Sequence, residues 1–311
     1  MSATNARRIV SLLPAATEMV AVLGATDRLV GRSHACDHPW EVRVLPAVTR
    51  PRVSADVSSA EIHAAVSKTA ESGQSLFELD AERLRSLAPD VILTQDQCQV
   101  CAVTPADLES ALKGWPGTKP QVIRLQPTRL ADLWRDLQQV AELLGLADGG
   151  RSVIAPLKAR VVAVLEKTAL LQRHPSVACL EWLDPLMGAG NWMPELVQLA
   201  GGHPVFGEPG THSDWITWEN LALQDPAALV LIPCGFDLDR TRAEAAQLKT
   251  HALWSRLRAV KAGRVYLADA SAYFNRPGPR LVESLEALAE MIQPDLFPNA
   301  RHRGEVWEPL R

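Results

Sequence analysis

The chain is short of most features that assign a protein at sight. No apolar run approaches the ~18–20 residues that cross a bilayer, so no segment reads as a membrane-spanning helix. The net charge of −4 leaves no positive surplus to hold nucleic acid or an anionic membrane. Five cysteines are an odd number, which excludes a complete disulfide framework and fits reduced thiols in a cytosolic chain. There is no Gly-x-Ser-x-Gly elbow, no phosphate-binding P-loop, no His-Glu-x-x-His and no dinucleotide fingerprint. Gly188-Ala189-Gly190 is too short for that fingerprint and runs into Asn191-Trp192. Glu181 and Asp184 could form a carboxylate pair, but no nucleophile accompanies them. Their expected work is to fix a loop or hold donors on a ligand rim, so no enzyme is expected.

A secretory leader is also missing from the first residues. It would need an apolar stretch of ~7–15 residues and a small-residue cleavage site. Here Ile9-Val10-Ser11-Leu12-Leu13 breaks at Pro14 and reads as a first strand. The expected location is therefore the cytoplasm, or the periplasm if the native start lies upstream.

What is present is a repeat. Asp80-Ala81-Glu82 opens a short helix that breaks at Pro89 before the apolar strand Val91-Ile92-Leu93-Thr94. Thr217-Trp218-Glu219 opens another that breaks at Pro226 before Leu229-Val230-Leu231. At 311 residues the chain has room for two lobes. Its 47% hydrophobic content is ordinary for a folded protein. Short strands over 9–12, 29–31, 91–94 and 122–125 alternate with helices over 17–24 and 80–87, Thr17 and Gly24 serving as cap and stop of the first. Leu130, Leu133, Leu137, Val140 and Leu144 then recur at helical spacing, and a helix over 157–171 follows with Pro156 in its first turn. Strands return at 177–180, 229–232 and 265–267, with helices over 193–201 and 280–292. The expected fold is α/β: two Rossmann-like lobes with parallel-type sheets joined by a long helical linker. The expected boundaries are 1–127 for the first lobe, 128–172 for the linker and 173–311 for the second lobe. Two like lobes leave a cleft, and clefts bind small molecules.

Ser11-Leu12-Leu13-Pro14-Ala15-Ala16-Thr17-Glu18, then Gly24 and Leu29-Val30-Gly31, resembles the substrate-binding proteins of metal-chelate ABC importers, above all the cobalamin binders. Glu181-Trp182-Leu183-Asp184-Pro185, Gly201-Gly202 and Phe274-Asn275-Arg276-Pro277-Gly278-Pro279-Arg280 extend the resemblance over roughly residues 8–295. The resemblance implies a monomeric solute-binding protein with a cobalamin-like corrinoid, or another metal chelate, in the inter-lobe cleft. Pro14, Ala15 and Ala16 fall at its first ligand loop. Met187 stands where the family places a ring-contacting aromatic, and Arg276 where it places a ligand-contacting arginine. Ala272 stands where the cobalamin binders can carry Asp. Glu82 and Glu219 match the carboxylates by which the family docks on arginines of an ABC permease. A corrinoid needs flat apolar surfaces, and the chain supplies nine Trp against two Tyr. Trp182, Trp215 and Phe274 are accordingly candidate contacts.

One cluster lies outside that pattern. If residues 33–38 are extended, His34, Cys36 and His38 share a face. Gln97, Cys98 and Cys101 follow the strand at 91–94, so both segments emerge at strand ends, where open sheets bind ligands. His34, Cys36, Cys98 and Cys101 could hold zinc or iron, or give an axial ligand to a chelated metal. Buried thiols acting as small hydrophobes are the plain alternative. A cytosolic metal- or redox-linked protein on the same fold is the second functional reading.

Overall fold

The structure, a computed structural model, describes residues 7–54, 56–71, 75–95 and 103–311. The chain divides into two compact units. The first comprises Met1–Val57, Glu61–Pro127 and Ala131–Pro156, and the second Ser58–Ala60, Thr128–Leu130 and Leu157–Arg311.

In chain order the first part of the molecule runs β1 (Ile9–Ser11), α1 (Pro14–Val22), β2 (Leu29–Arg32), β3 (Thr49–Pro51), α2 (Ser59–Glu71), β4 (Phe77–Leu79), α3 (Ala81–Ser86), β5 (Val91–Gln95), α4 (Pro105–Ala111), β6 (Gln121–Leu125) and α5 (Leu130–Leu143). The four strands β2-β1-β5-β6 form a wholly parallel sheet in that order. Val91 to Gln95 are all buried, as a central parallel strand covered on both faces requires. Val10, Leu84, Ile92 and Leu108 pack into one core. The stripe read from Leu133, Leu137 and Val140 is fully buried on α5. The antiparallel pair β3–β4 forms a small separate ribbon.

Helix α6 (Ala147–Thr168) carries the chain onward, and the division between the units falls inside it, after Pro156. The helix therefore starts ahead of the expected first turn at Pro156. Proline lacks the N–H that would bond the Ser152 carbonyl. Both residues are exposed, so the broken rung lies on the wet side of the helix.

The second part runs β7 (Ser176–Leu183), β8 (Leu186–Gly188), α7 (Met193–Leu199), β9 (His203–Pro204), β10 (Asp214–Trp215), α8 (Trp218–Gln224), β11 (Ala228–Leu231), α9 (Leu238–Leu248), α10 (Arg258–Lys261), β12 (Val265–Ala268), α11 (Leu281–Ile292) and β13 (Trp307–Pro309). Its sheet order is β10-β8-β7-β11-β12-β13, with β9 also pairing β7. The centre is parallel, and antiparallel strands are added on both sides: β8 against β7, β10 against β8, and β13 against β12. Leu180, Leu229, Leu231, Trp254 and Leu267 centre its core.

The sequence repeat is a structural repeat. Asp80 caps α3 by accepting from the Arg83 N–H, and Thr217 caps α8 by accepting from the Asn220 N–H. Each helix carries its glutamate in the first turn. Each segment then turns through a left-handed residue, Ala88 at φ 41° and Asp225 at φ 39°, directly before its proline and strand. At the start of the chain the expected cap is corrected. Pro14, not Thr17, opens α1, because proline with its fixed φ suits a first turn that has no intrahelical acceptor to serve. Thr17 lies inside the helix, where its hydroxyl donates back to the Leu13 carbonyl at 3.3 Å.

Candidate functional site

The second unit carries a row of large apolar side chains across three strands. Strand register places Trp182 opposite Met187, and Met187 opposite Trp215, across β7, β8 and β10. Directly opposed residues of antiparallel strands share a face. The three side chains therefore form one row across the sheet margin. Trp182 is buried, with its indole N–H donated to the Asp184 carbonyl at 3.1 Å and its ring edge-on to Phe236 at 5.5 Å. Met187 is half-buried. Trp215 is 55% exposed. The row thus runs from anchored indole through thioether to an open aromatic plate.

Beside the row sits Glu181. The β7–β8 pairing shifts between Leu180 and Trp182, so Glu181 is the extra residue of a bulge. Bulges re-aim side chains in this way. Its carboxylate accepts from the Ser213 hydroxyl at 2.7 Å and from the Cys234 thiol at 3.2 Å. The Ser213 oxygen accepts in turn from the Gly190 N–H at 3.0 Å. Glu181 therefore fixes the residue that precedes the two-residue strand β10, and with it Trp215. Burial, then the Glu181 charge, pushes the Cys234 thiol well up, and the same causes push Cys179 up to about 12. Both thiols stay protonated. The expected loop-fixing work falls to Glu181, while Asp184 contributes its backbone carbonyl.

Gly190 is needed here for close approach. A Cβ at this position would lie 2.6 Å from both the Ser213 nitrogen and the Thr211 oxygen, which are backbone atoms that cannot rotate away. Gly190→Ala is expected to cost more than ~2 kcal/mol of stability through this overpacking. A thermal melt equal to that of the parent protein would refute this.

In the first unit Pro14 is half-buried at the head of α1, while Ala15 and Ala16 are buried beneath it. The segment after β2 is not extended. It turns, with the Cys36 N–H donated to the Ser33 carbonyl at 3.2 Å. The shared face expected for His34, Cys36 and His38 is corrected for that reason. Cys36 faces inward and accepts from the Thr17 hydroxyl at 3.0 Å. His34 sits against the β3–β4 ribbon: Nδ1 is 2.7 Å from the Thr49 hydroxyl and the ring lies 5.2 Å from Phe77. Burial, then the Arg32 charge, lowers the His34 pKa and holds the imidazole neutral. His38 is exposed. Gln97, Cys98 and Cys101 lie outside the described residues. Among the described residues no three His, Cys, Asp or Glu side chains are placed to hold a metal ion.

The sequence pattern of the family described as periplasmic binding protein matches residues 9–272. The chain belongs to the periplasmic binding protein family. It is 24% identical over 298 residues to the ABC transporter substrate-binding lipoprotein YvrC of Bacillus subtilis, covering 94% of this chain and 81% of that protein. It is 21% identical over 295 residues to a vitamin B12-binding protein of Vibrio vulnificus, covering 93% of this chain and 91% of that protein. Among solved structures it is similar to a periplasmic heme-binding protein of Pseudomonas aeruginosa, with a TM-score of 0.71, 22% identity and 93% of each chain covered.

In this periplasmic binding protein several expected contacts are packed rather than open. Phe274 has 0% exposure and its carbonyl accepts from the Trp192 indole N–H at 2.9 Å. Ala15, Ala16 and Cys36 are likewise buried. All four side chains are packed into the structure, and ligand contact by them is not shown. Arg276 is 5% exposed, and its charge acts on the Asp269 carboxyl. Arg280 lies over the Tyr273 ring at 4.9 Å. Glu82 and Glu219 are both exposed. The Glu219 carboxyl is held below its ordinary range by its own backbone N–H, then by the Thr217 hydroxyl. The sequence points to Glu181 as a loop-fixing residue, but not to its partners Ser213 and Gly190. The Gly188-Ala189-Gly190 run reads in the sequence only as too short for a dinucleotide fingerprint.

Proposed function

We propose that this chain is the solute-binding protein of an ABC importer and that its ligand is a corrinoid or another flat metal chelate, such as a haem. The observation that carries this reading is the Trp182–Met187–Trp215 row: an apolar plate, rigid at one end and open at the other, suited to a planar macrocycle. The family membership and the vitamin B12-binding relative support it. In this reading Pro14 and His34 stay candidates for ligand contact from the sequence, as do Gln97 and Cys98, which lie outside the described residues. Arg276 orients the segment around it. Binding, not catalysis, is the function.

The partner in this reading is an ABC permease, engaged through Glu82 and Glu219. Their matched positions in two like helices support paired docking. An extracytoplasmic location goes with that partner, in place of the cytoplasmic one expected from the first residues. The metal- or redox-linked alternative is less favoured, because Cys36 is buried against Thr17 while His34 is turned to Thr49.

The test is a titration of the purified protein with hydroxocobalamin and, separately, haemin, read by visible spectroscopy and calorimetry. Saturable binding of one of them supports the proposal. Failure to bind either removes it.

A further inference from the structure

The face that carries the tryptophan row also carries a carboxylate. Leu180, Leu183 and Leu186 enter the core of the second unit, and Ile216 packs against it. The one-residue bulge therefore leaves Glu181 and Trp182 together on the opposite face, with Met187 and Trp215. The hydrogen bonding fits this placement. Ser213 lies two residues before Trp215, so in extended chain the two point the same way. It is Ser213 whose hydroxyl meets the Glu181 carboxylate at 2.7 Å.

Glu181 is half-buried, and its protein partners are few and neutral. It accepts from the Ser213 hydroxyl and the Cys234 thiol, and among the described residues it has no arginine, lysine or histidine partner. A carboxylate can accept about four hydrogen bonds, so the protein leaves about half of that capacity unused. Asp184 adds a second, exposed carboxylate in the turn that follows Trp182. Arg240 stands one ring behind, over Phe236 at 4.0 Å, and Phe236 is itself edge-on to Trp182.

A flat ligand resting on the row strips water from Glu181. A carboxylate taken out of water without partners is costly, whereas N–H donors on the ligand rim offset the loss. We infer that Glu181 is a specificity-determining residue of the site: it selects chelates whose rim is neutral and carries amide N–H donors, as a corrinoid's does, over those rimmed with carboxylates, as a haem is. Primary amides donate to the lone pairs that Ser213 and Cys234 leave free. A propionate brings a like charge to the same place, and juxtaposed like charges oppose binding. This role depends on the chelate-binding function proposed above and chooses between the ligands left open there.

Two cobalt corrins that share one ring and differ at the rim test it. Dicyanocobinamide presents amides, and dicyanocobyrinic acid presents carboxylates. Calorimetric titration of the full chain at neutral pH is expected to show the cobinamide bound about tenfold more tightly, a preference that narrows with added salt. Glu181→Gln keeps the side-chain size and an acceptor for Ser213 but removes the charge. It is expected to bring the two corrins to within about threefold, mostly through tighter binding of the acid. Ser213→Ala loosens the same loop and leaves the carboxylate, so it is expected to weaken both corrins together and keep their ratio. Glu166→Gln removes one exposed charge on α6 and is expected to keep the ratio as well.

Four outcomes overturn the inference while chelate binding stands: equal or inverted preference in the parent, an unchanged ratio in Glu181→Gln, a ratio that shifts as far in Ser213→Ala or Glu166→Gln, or binding of haemin with no binding of either corrin. Binding of no corrin and no haemin removes the chelate-binding function itself, and the role of Glu181 with it. Circular dichroism of each variant checks that the fold is retained. Glu181→Gln decides if Ser213→Ala does not fold, and the parent's preference decides if neither does.

Discussion

Glu286→Ala is expected to destabilise the second unit by about 3 kcal/mol, the size expected when a buried ion pair loses one partner. Glu286 on α11 is buried and takes a two-pronged hydrogen bond from Arg160 on α6, at 3.0 and 2.7 Å. His302, beyond α11, adds a contact from its Nε2 at 2.8 Å. Glu283 holds the third Arg160 nitrogen at 3.0 Å, and Glu290 accepts from the Trp307 indole at 2.7 Å. One face of α11 thus ties together α6 and the C-terminal segment. Alanine leaves a guanidinium and an imidazole facing each other without their shared anion.

The same network sets a pH dependence. Burial by itself would raise the Glu286 pKa, but hydrogen bonds from His302 and Arg160 overcome it and hold the carboxyl at about 2. A depressed carboxyl contributes stability that is complete above its ordinary value of 4.5 and fades as the pH falls toward 2. His302 is raised above 6.5, first by its bond to Glu286, against the opposing effect of burial. Its contribution is complete below 6.5 and fades as the pH rises through the raised value. The network is therefore strongest between these limits. Urea denaturation of the parent protein and Glu286→Ala, followed by tryptophan fluorescence across the pH range, measures both effects. A loss below ~1 kcal/mol, or an unchanged pH profile, contradicts this account.

Trp215→Ala is expected to weaken chelate binding by roughly 10- to 100-fold while leaving stability nearly unchanged. The side chain is largely exposed, so its removal opens no cavity, yet it forms the open end of the proposed plate. Trp182→Ala provides the contrast. Trp182 is buried against Phe236, and its truncation is expected to cost about 3–5 kcal/mol of stability. Calorimetry with whichever of hydroxocobalamin and haemin binds, beside thermal melts of both variants, separates the two roles. Unchanged affinity in Trp215→Ala would show that the ligand does not use the row.

Much of the architecture was legible because it rests on local signals. The paired Glu-to-Pro segments are short-range grammar: a side chain that caps, a glutamate favoured by the helix dipole, and a proline that forbids continuation. The α5 stripe is periodic and was found by its period. Elements without a local signal of their own were not found. The β3–β4 ribbon exists because Thr49 and Leu79 are brought together from far apart in sequence, and β10 is only two residues long. Neither has a periodicity of its own. Pro156 misled in the other direction, since exposure decided its cost and exposure is not written in the residue.

The sequence by itself determined two α/β halves with a helix between them, and the residue types of the proposed chelate-binding surface, because capping, breaking and apolar periodicity act over a few neighbouring residues. Only the tertiary structure decided which of those residues meet. Strand register put Met187 between Trp182 and Trp215. A one-residue bulge turned Glu181 onto Ser213. A turn after β2 separated Cys36 from His34. Each of these is a long-range hydrogen-bonding choice, in which buried backbone and side-chain groups must all find partners at once.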